Sequence, residues 1–98
     1  MKFTIKTIES PLRLGRLLGY RLLGEQSGEY NFARSIDGRH YPRFHLYVKA
    51  QRGELAFNLH LDQKQPSYKG HTAHSGEYEG ELVEREAERI QKIMKREA

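Results

Sequence analysis

No cysteine occurs among the 98 residues. Disulfides, thiolate–metal sites and a cysteine nucleophile are therefore excluded. No stretch approaches the roughly 18 consecutive apolar residues that a membrane span requires. The first residues, MKFTIKTIESPLRLGR, carry charges throughout and have no continuous apolar run, so no secretory leader is expected. Strict signature motifs are missing too: there is no P-loop, dinucleotide fingerprint, nucleophile elbow or established nucleic-acid-binding motif. A cytoplasmic chain with no membrane attachment is the expectation from these absences.

What is present is polar. Hydrophobic residues make up 37% of the chain and charged residues 31%. A chain of this length holds one domain, 1–98, with one thin core, so a sheet covered by one or two helices is the economical layering. The net charge of +4 is uneven: residues 1–52 balance at +6 and residues 53–98 at −2. A basic half can attract nucleic acid or another polyanion, although such an excess also serves ordinary solubility.

Hydrophobic periodicity predicts the elements. Residues 2–8 alternate, with Phe3, Ile5 and Thr7 opposite Lys2, Thr4, Lys6 and Ile8, and read as a strand. Ser10-Pro11 marks a helix start. In the run that follows, Gly15, Gly19 and Gly24 interrupt the leucines, each at a cost of up to ~1 kcal/mol in a helix. A short turn or helix at 11–16 and a strand at about 17–24 are expected there. Residues 29–36 read as a strand, and Asp37-Gly38 signals a tight hairpin turn into a strand starting at Arg39. Pro42 lacks an amide proton, so a bulge or edge position is expected near 41–43.

The clearest pattern spans 43–62. Phe44, Leu46, Val48 and Ala50 alternate with His45, Tyr47 and Lys49; Leu55, Phe57, Leu59 and Leu61 alternate with Ala56, Asn58, His60 and Asp62. Strict alternation gives one buried and one exposed face. A two- or four-residue link around Arg52-Gly53 pairs Val48 with Phe57, Leu46 with Leu59 and His45 with His60, whereas a three-residue link would put the faces out of phase. Residues 63–79 lack any period and read as a long loop. Residues 81–96 read as an amphipathic helix whose stripe is Leu82, Val83, Ala87, Ile90, Ile93 and Met94. The expected fold is α+β: an antiparallel sheet of about four or five strands, mostly a meander, with the C-terminal helix across one face.

Three groups of residues carry chemical interest. All five histidines fall between His40 and His74. His45, His60 and Asp62 share the exposed face, and the loop supplies His71 and His74. Imidazole and carboxylate suit a divalent metal, so His45, His60, Asp62 and His71 form a candidate ligand set. Without a metal, His45, His60, His74 and Glu77 are candidates for acid–base work, because imidazole titrates near neutrality. For Glu77 and Glu79 a helix-capping or turn role is the first reading and a carboxylate base the second. Third, Arg39, Tyr41, Arg43, Tyr47, Lys49 and Arg52, with Arg13, Arg16 and Arg21 upstream, mix cations with aromatic rings. Single-stranded nucleic acid is held by such stacking and phosphate contacts. The tyrosines could equally shield a sheet edge or form a homodimer surface.

His60-Leu61-Asp62 followed by Gly76-Glu77-Tyr78 resembles short motifs of the phosphoesterase module attached to bacterial DNA-repair ligases. That resemblance implies His and Asp side chains binding a metal at a nucleic-acid 3′ end. It covers only those fragments; the chain is shorter than that module and lacks its fuller His-Tyr-Asp context. The sequence therefore leaves open a polyanion-binding module, a metal-dependent hydrolase or phosphoesterase, and a protein-interaction or regulatory subunit, with the first favoured because its charges and rings are plainly present.

Overall fold

A computed structural model describes residues 1–63 and 76–97. Its centre is the hairpin formed by β4 (Arg43–Gln51) and β5 (Glu54–Asp62), joined by the two-residue link Arg52-Gly53. That link sets Gln51 opposite Glu54, and the remaining pairs follow: Val48 with Phe57, Leu46 with Leu59, His45 with His60, Phe44 with Leu61. β1 (Lys2–Lys6) adds antiparallel to β5, placing Phe3 across from Phe57, and their rings stack at 5.0 Å. On the other side come β3 (Glu29–Ser35) and β2 (Arg21–Gln26), giving an antiparallel sheet in the order β1-β5-β4-β3-β2. Every neighbouring pair is sequential except β1 with β5, so the α+β meander read from the sequence is the fold.

Two helices, α1 (Pro11–Leu18) and α2 (Gly76–Glu97), supply the apolar partners of one sheet face. Phe32, Phe44, Leu46, Val48, Leu55, Phe57 and Leu59 are buried with Leu14 and Leu18 of α1 and Ala87, Ile90 and Met94 of α2. Ala50 shares the parity of the buried residues but is exposed near the hairpin tip, contrary to the alternation.

Several boundaries differ from the sequence expectation. α1 runs to Leu18, and the next strand starts at Arg21 rather than near 17. Its glycines explain the shift. Gly15 is buried with the Phe32 ring where a Cβ would sit, so the glycine is a packing notch rather than a break. Gly19 takes φ 83° and closes the helix as a left-handed cap, its amide donating to the Arg16 carbonyl. At the other end, the Ser10 hydroxyl accepts from the Arg13 amide and Pro11 occupies the first turn, as expected. β1 stops at Lys6, leaving Ile8 exposed. The tight turn is Ser27-Gly28, where both residues have positive φ; Asp37-Gly38 lies instead within a longer connection, 36–42, and β4 starts at Arg43. The sheet irregularity lies in β2, between Leu22 and Gly24, not at Pro42. Pro42 precedes β4 after a cis Tyr41-Pro42 peptide. α2 begins at Gly76, five residues before the expected start, with Glu77, Glu79 and Glu81 in its first turns, where the helix dipole favours acids.

Among the described residues, Glu86 is the charged side chain buried inside the apolar layer. Glu86 is 4% exposed on α2, facing the sheet between Val83 and Ile90. Its Oε2 accepts from the Tyr20 hydroxyl at 2.6 Å and from Arg89 Nη2 at 2.8 Å; its Oε1 accepts from Arg89 Nε at 2.9 Å and Arg34 Nη1 at 3.4 Å. Arg89 also donates to the Leu18 carbonyl at 2.7 Å. The carboxylate thus joins α2 to β3 and to the link between α1 and β2, and Arg89 ties α2 to the end of α1. Burial, then the Glu86 charge, push the Tyr20 hydroxyl far above the usual phenol range.

Removing the carboxylate leaves the Tyr20 hydroxyl buried and unpaired. Glu86→Ala is expected to lower unfolding free energy by about 2–3 kcal/mol, measured by urea denaturation, and Glu86→Gln by less. Gly15→Ala drives a methyl into the Phe32 ring and is expected to cost about 1–3 kcal/mol despite alanine's better helix propensity. A neutral or stabilised Gly15→Ala protein would contradict the notch.

Candidate polyanion-binding face

The side of the sheet away from both helices carries the alternate residues of each strand. Strand register arranges them in rows. Arg21, Ala33, His45 and His60 cross β2, β3, β4 and β5; Asn31, Tyr47, Asn58 and Lys2 cross β3, β4, β5 and β1; Glu29, Lys49, Ala56 and Thr4 form the next row. Neighbouring side chains within a row stand close enough to interact directly.

The centre of the face is a ring stack. Tyr47 lies on the His45 ring at 4.7 Å, and the His60 ring meets Tyr47 edge-on at 6.0 Å. His45 is held on both sides: Nδ1 is 3.1 Å from Asp62 Oδ2, and Nε2 contacts Asn31 Oδ1. The same Asp62 oxygen accepts from Arg43 Nε at 3.3 Å. Both nitrogens of His45 therefore face oxygens in this arrangement, and a metal would have to displace one of them. His45 and His60 are cross-strand neighbours, but among the described residues no group of three His, Asp or Glu side chains is placed to hold one ion. His71 and His74 lie outside the described residues. Glu77 falls in the first turn of α2, and its side chain lies outside them as well.

His60 is exposed, yet its imidazole is held below its ordinary value. The largest cause is the partial burial it does have, followed by the charges of the N-terminal ammonium and His45; Asp62 opposes them, and Lys2 adds a smaller push in the same direction. The ammonium is close because it donates to the Leu59 carbonyl at 2.8 Å.

Two hollows on this face have cations in their lining, one beside Tyr47 and one at the Arg43 end of β4. One is lined by Lys2, Thr4, Tyr47, Lys49, Ala56 and Asn58, among others. Ala56, a single methyl between Lys49 and Thr4 in its row, leaves room beside Tyr47, and Lys2 and Lys49 are among the residues around it. Glu29, also lining this hollow, pairs across from Lys49. The other hollow is lined by Arg21, Arg39, His40 and Arg43 around Ala33, Ser35 and Gly38. Connection 36–42 forms one wall of it, closed where the Ile36 amide donates to the Pro42 carbonyl at 3.3 Å. Arg43 lies over the Tyr41 ring at 4.7 Å. Arg39 forks onto Asp37, with Nη2 to Oδ2 at 2.6 Å; that guanidinium lowers the Asp37 carboxyl and is itself raised. Arg21 makes no ion pair among the described residues.

The basic and aromatic residues singled out from the sequence are thus divided. Arg21, Arg39, Tyr41 and Arg43 gather at one end of the open face, and Tyr47 and Lys49 lie farther along β4. Arg52 is exposed in the link at the hairpin tip and lines neither hollow. Arg13 and Arg16 belong to α1 on the opposite side, with Arg13 paired to Glu9 at 2.6 Å. Asn31 escaped sequence reasoning; its place opposite Tyr47 on a strand of unambiguous parity was its only signal.

Because the folded value of His60 is depressed, its contribution to stability is complete above the unfolded value of about 6.5 and is lost as pH falls through the folded value. Proton NMR of the imidazole is expected to give a midpoint below about 6.5, and His60→Gln to flatten the acid limb of the stability profile. A midpoint at or above the ordinary value would contradict the charge arrangement around this ring.

Compared with family models, with curated proteins and with solved structures, the chain matches none of them.

Proposed function

We propose that the open sheet face binds a polyanion, single-stranded nucleic acid in particular. The observation that carries the reading is Tyr47, stacked on a fixed His45 and bordered by a hollow over Ala56 with Lys2 and Lys49 in its lining. An unpaired base exposes a π-face that a tyrosine can stack against, and its phosphates lie within reach of flanking cations. A duplex keeps its base faces covered, so a stacking platform favours single strands. The ring is preorganised: His45 is pinned by Asp62 and Asn31, and Tyr47 rests against it. The hairpin's apolar side is committed to the helices, so ligand contact leaves the core undisturbed.

The cations named here, Lys2, Lys49, Arg21 and Arg39, correspond to three or four phosphate contacts. Counterion release then gives a salt slope of about −2 to −3 for a single strand, or about a 30-fold loss of affinity between 50 and 200 mM salt. Fluorescence anisotropy with labelled single strands is expected to show that slope, and Tyr47→Ala to weaken binding about tenfold or more through lost stacking. Tyr47→Phe retains the ring and should bind nearly as the parent does. Undetectable or salt-insensitive binding of both single-stranded and duplex oligonucleotides overturns the reading.

A further inference from the structure

We infer that the hollow formed by Arg21, Arg39, His40 and Arg43 is a subsite for a terminal phosphate, the phosphomonoester at one end of a bound strand. The inference rests on the sheet-face reading and adds to it where a strand stops and what group it ends in.

The first support is shape. A ligand lying along β4 from Lys49 towards Arg43 crosses about 20 Å at ~3.3 Å per residue and then meets residues 38–40 of the connection. Ala33 and Arg43 both point to the open side of the sheet, yet Ala33 is 2% exposed and the Arg43 side chain 15%. The floor at that end of the face is therefore covered, with exposed Arg21, Arg39 and His40 around it and the connection beyond. A chain running through the hollow would have to pass the connection; a chain ending in it would not.

The second support is charge and donor geometry. Arginines line the hollow from three separate elements: β2 through Arg21, β4 through Arg43 and the connection through Arg39. Planar guanidinium forks suit the oxygens of a phosphate better than ammonium groups do. Arg21 is unpaired among the described residues. Arg39 is paired only to Asp37, at a surface where such pairs are weak and readily exchanged. Arg43 spends Nε on Asp62, and Tyr41 beneath its plane holds the fork in position. An internal phosphodiester offers two unesterified oxygens and one charge. A terminal phosphomonoester offers three such oxygens and nearly two charges, which makes fuller use of three forks and the His40 ring.

The test compares three labelled single strands of one sequence, carrying a 5′-phosphate, a 3′-phosphate or no terminal phosphate, by anisotropy at fixed salt. One phosphorylated strand is expected to bind about tenfold more tightly than the strand without, and which one it is reveals the polarity of the bound chain. Arg21→Gln and Arg39→Gln change exposed residues, and circular dichroism verifies that each variant is folded. Each is expected to bring the ratio between phosphorylated and unphosphorylated strands, measured in the same variant, close to one. Equal binding of all three strands by the parent protein, within about twofold, overturns the subsite but not the sheet-face reading. A preference that survives both substitutions places the phosphate elsewhere and also overturns it. If no strand binds at all, the sheet-face reading fails and the subsite fails with it.

Discussion

Everything in this molecule depends on the register between β4 and β5. Two residues join the strands, and that number decides that Leu46 meets Leu59 and His45 meets His60. With one more residue in the link, the leucines of one strand would lie against the histidine side of the other. Both faces would then fail together: the helices would lose their apolar bed, and the rings would have no common side. β1 and β3 read their own registers from these two strands, so the rows across the open face are set by the central pair.

A core this thin leaves the helices free to slide over a surface of leucines and phenylalanines unless something directional holds them. The Glu86 carboxylate provides direction: the bonds from Tyr20 and Arg34 tie α2 to the link between α1 and β2 and to β3, while the two bonds from Arg89, on α2 itself, hold the carboxylate in place. Apolar burial supplies most of the attraction, and the buried carboxylate selects one arrangement. Because Arg34 is on β3, whose alternate residues Asn31 and Ala33 face outward, the strand that anchors the helix also positions the partners of His45 and the floor of the arginine hollow.

The parts of the fold legible in the sequence are those governed by neighbours along the chain. The alternation of residues 44–48 and 55–61 is a local signal strong enough to give the register, and the stripe Leu82 to Met94 likewise gives the helix. What stayed hidden was long-range. Gly15 looked like a helix breaker because Phe32, which fills its missing side chain, is seventeen residues away. Asp37-Gly38 carried the better turn signature, yet Ser27-Gly28 makes the tight turn, and the former was drawn into a longer connection that now forms a wall. Glu86 was visible as an acid three residues from Val83 and four from Ile90, squarely on the apolar stripe; its meaning required Tyr20 and Arg34. For the candidate site, the sequence showed that His45, Tyr47, Lys49 and His60 share one side. It did not show that Arg21 joins Arg39 and Arg43, because that meeting depends on the pairing of β2 with β3.

The irregularity in β2 has a consequence for how the molecule behaves in a crowd. β2 is an outer strand, and Leu22 and Leu23 are 47% and 42% exposed on it. A straight outer strand with that character is a template on which another chain can extend the sheet. The extra residue between Leu22 and Gly24 breaks the regular spacing of outward amides and carbonyls. This leucine-bearing border of the sheet is thereby a poor match for an incoming strand, and the bulge guards against the edge-to-edge joining of sheets that the leucines alone would invite.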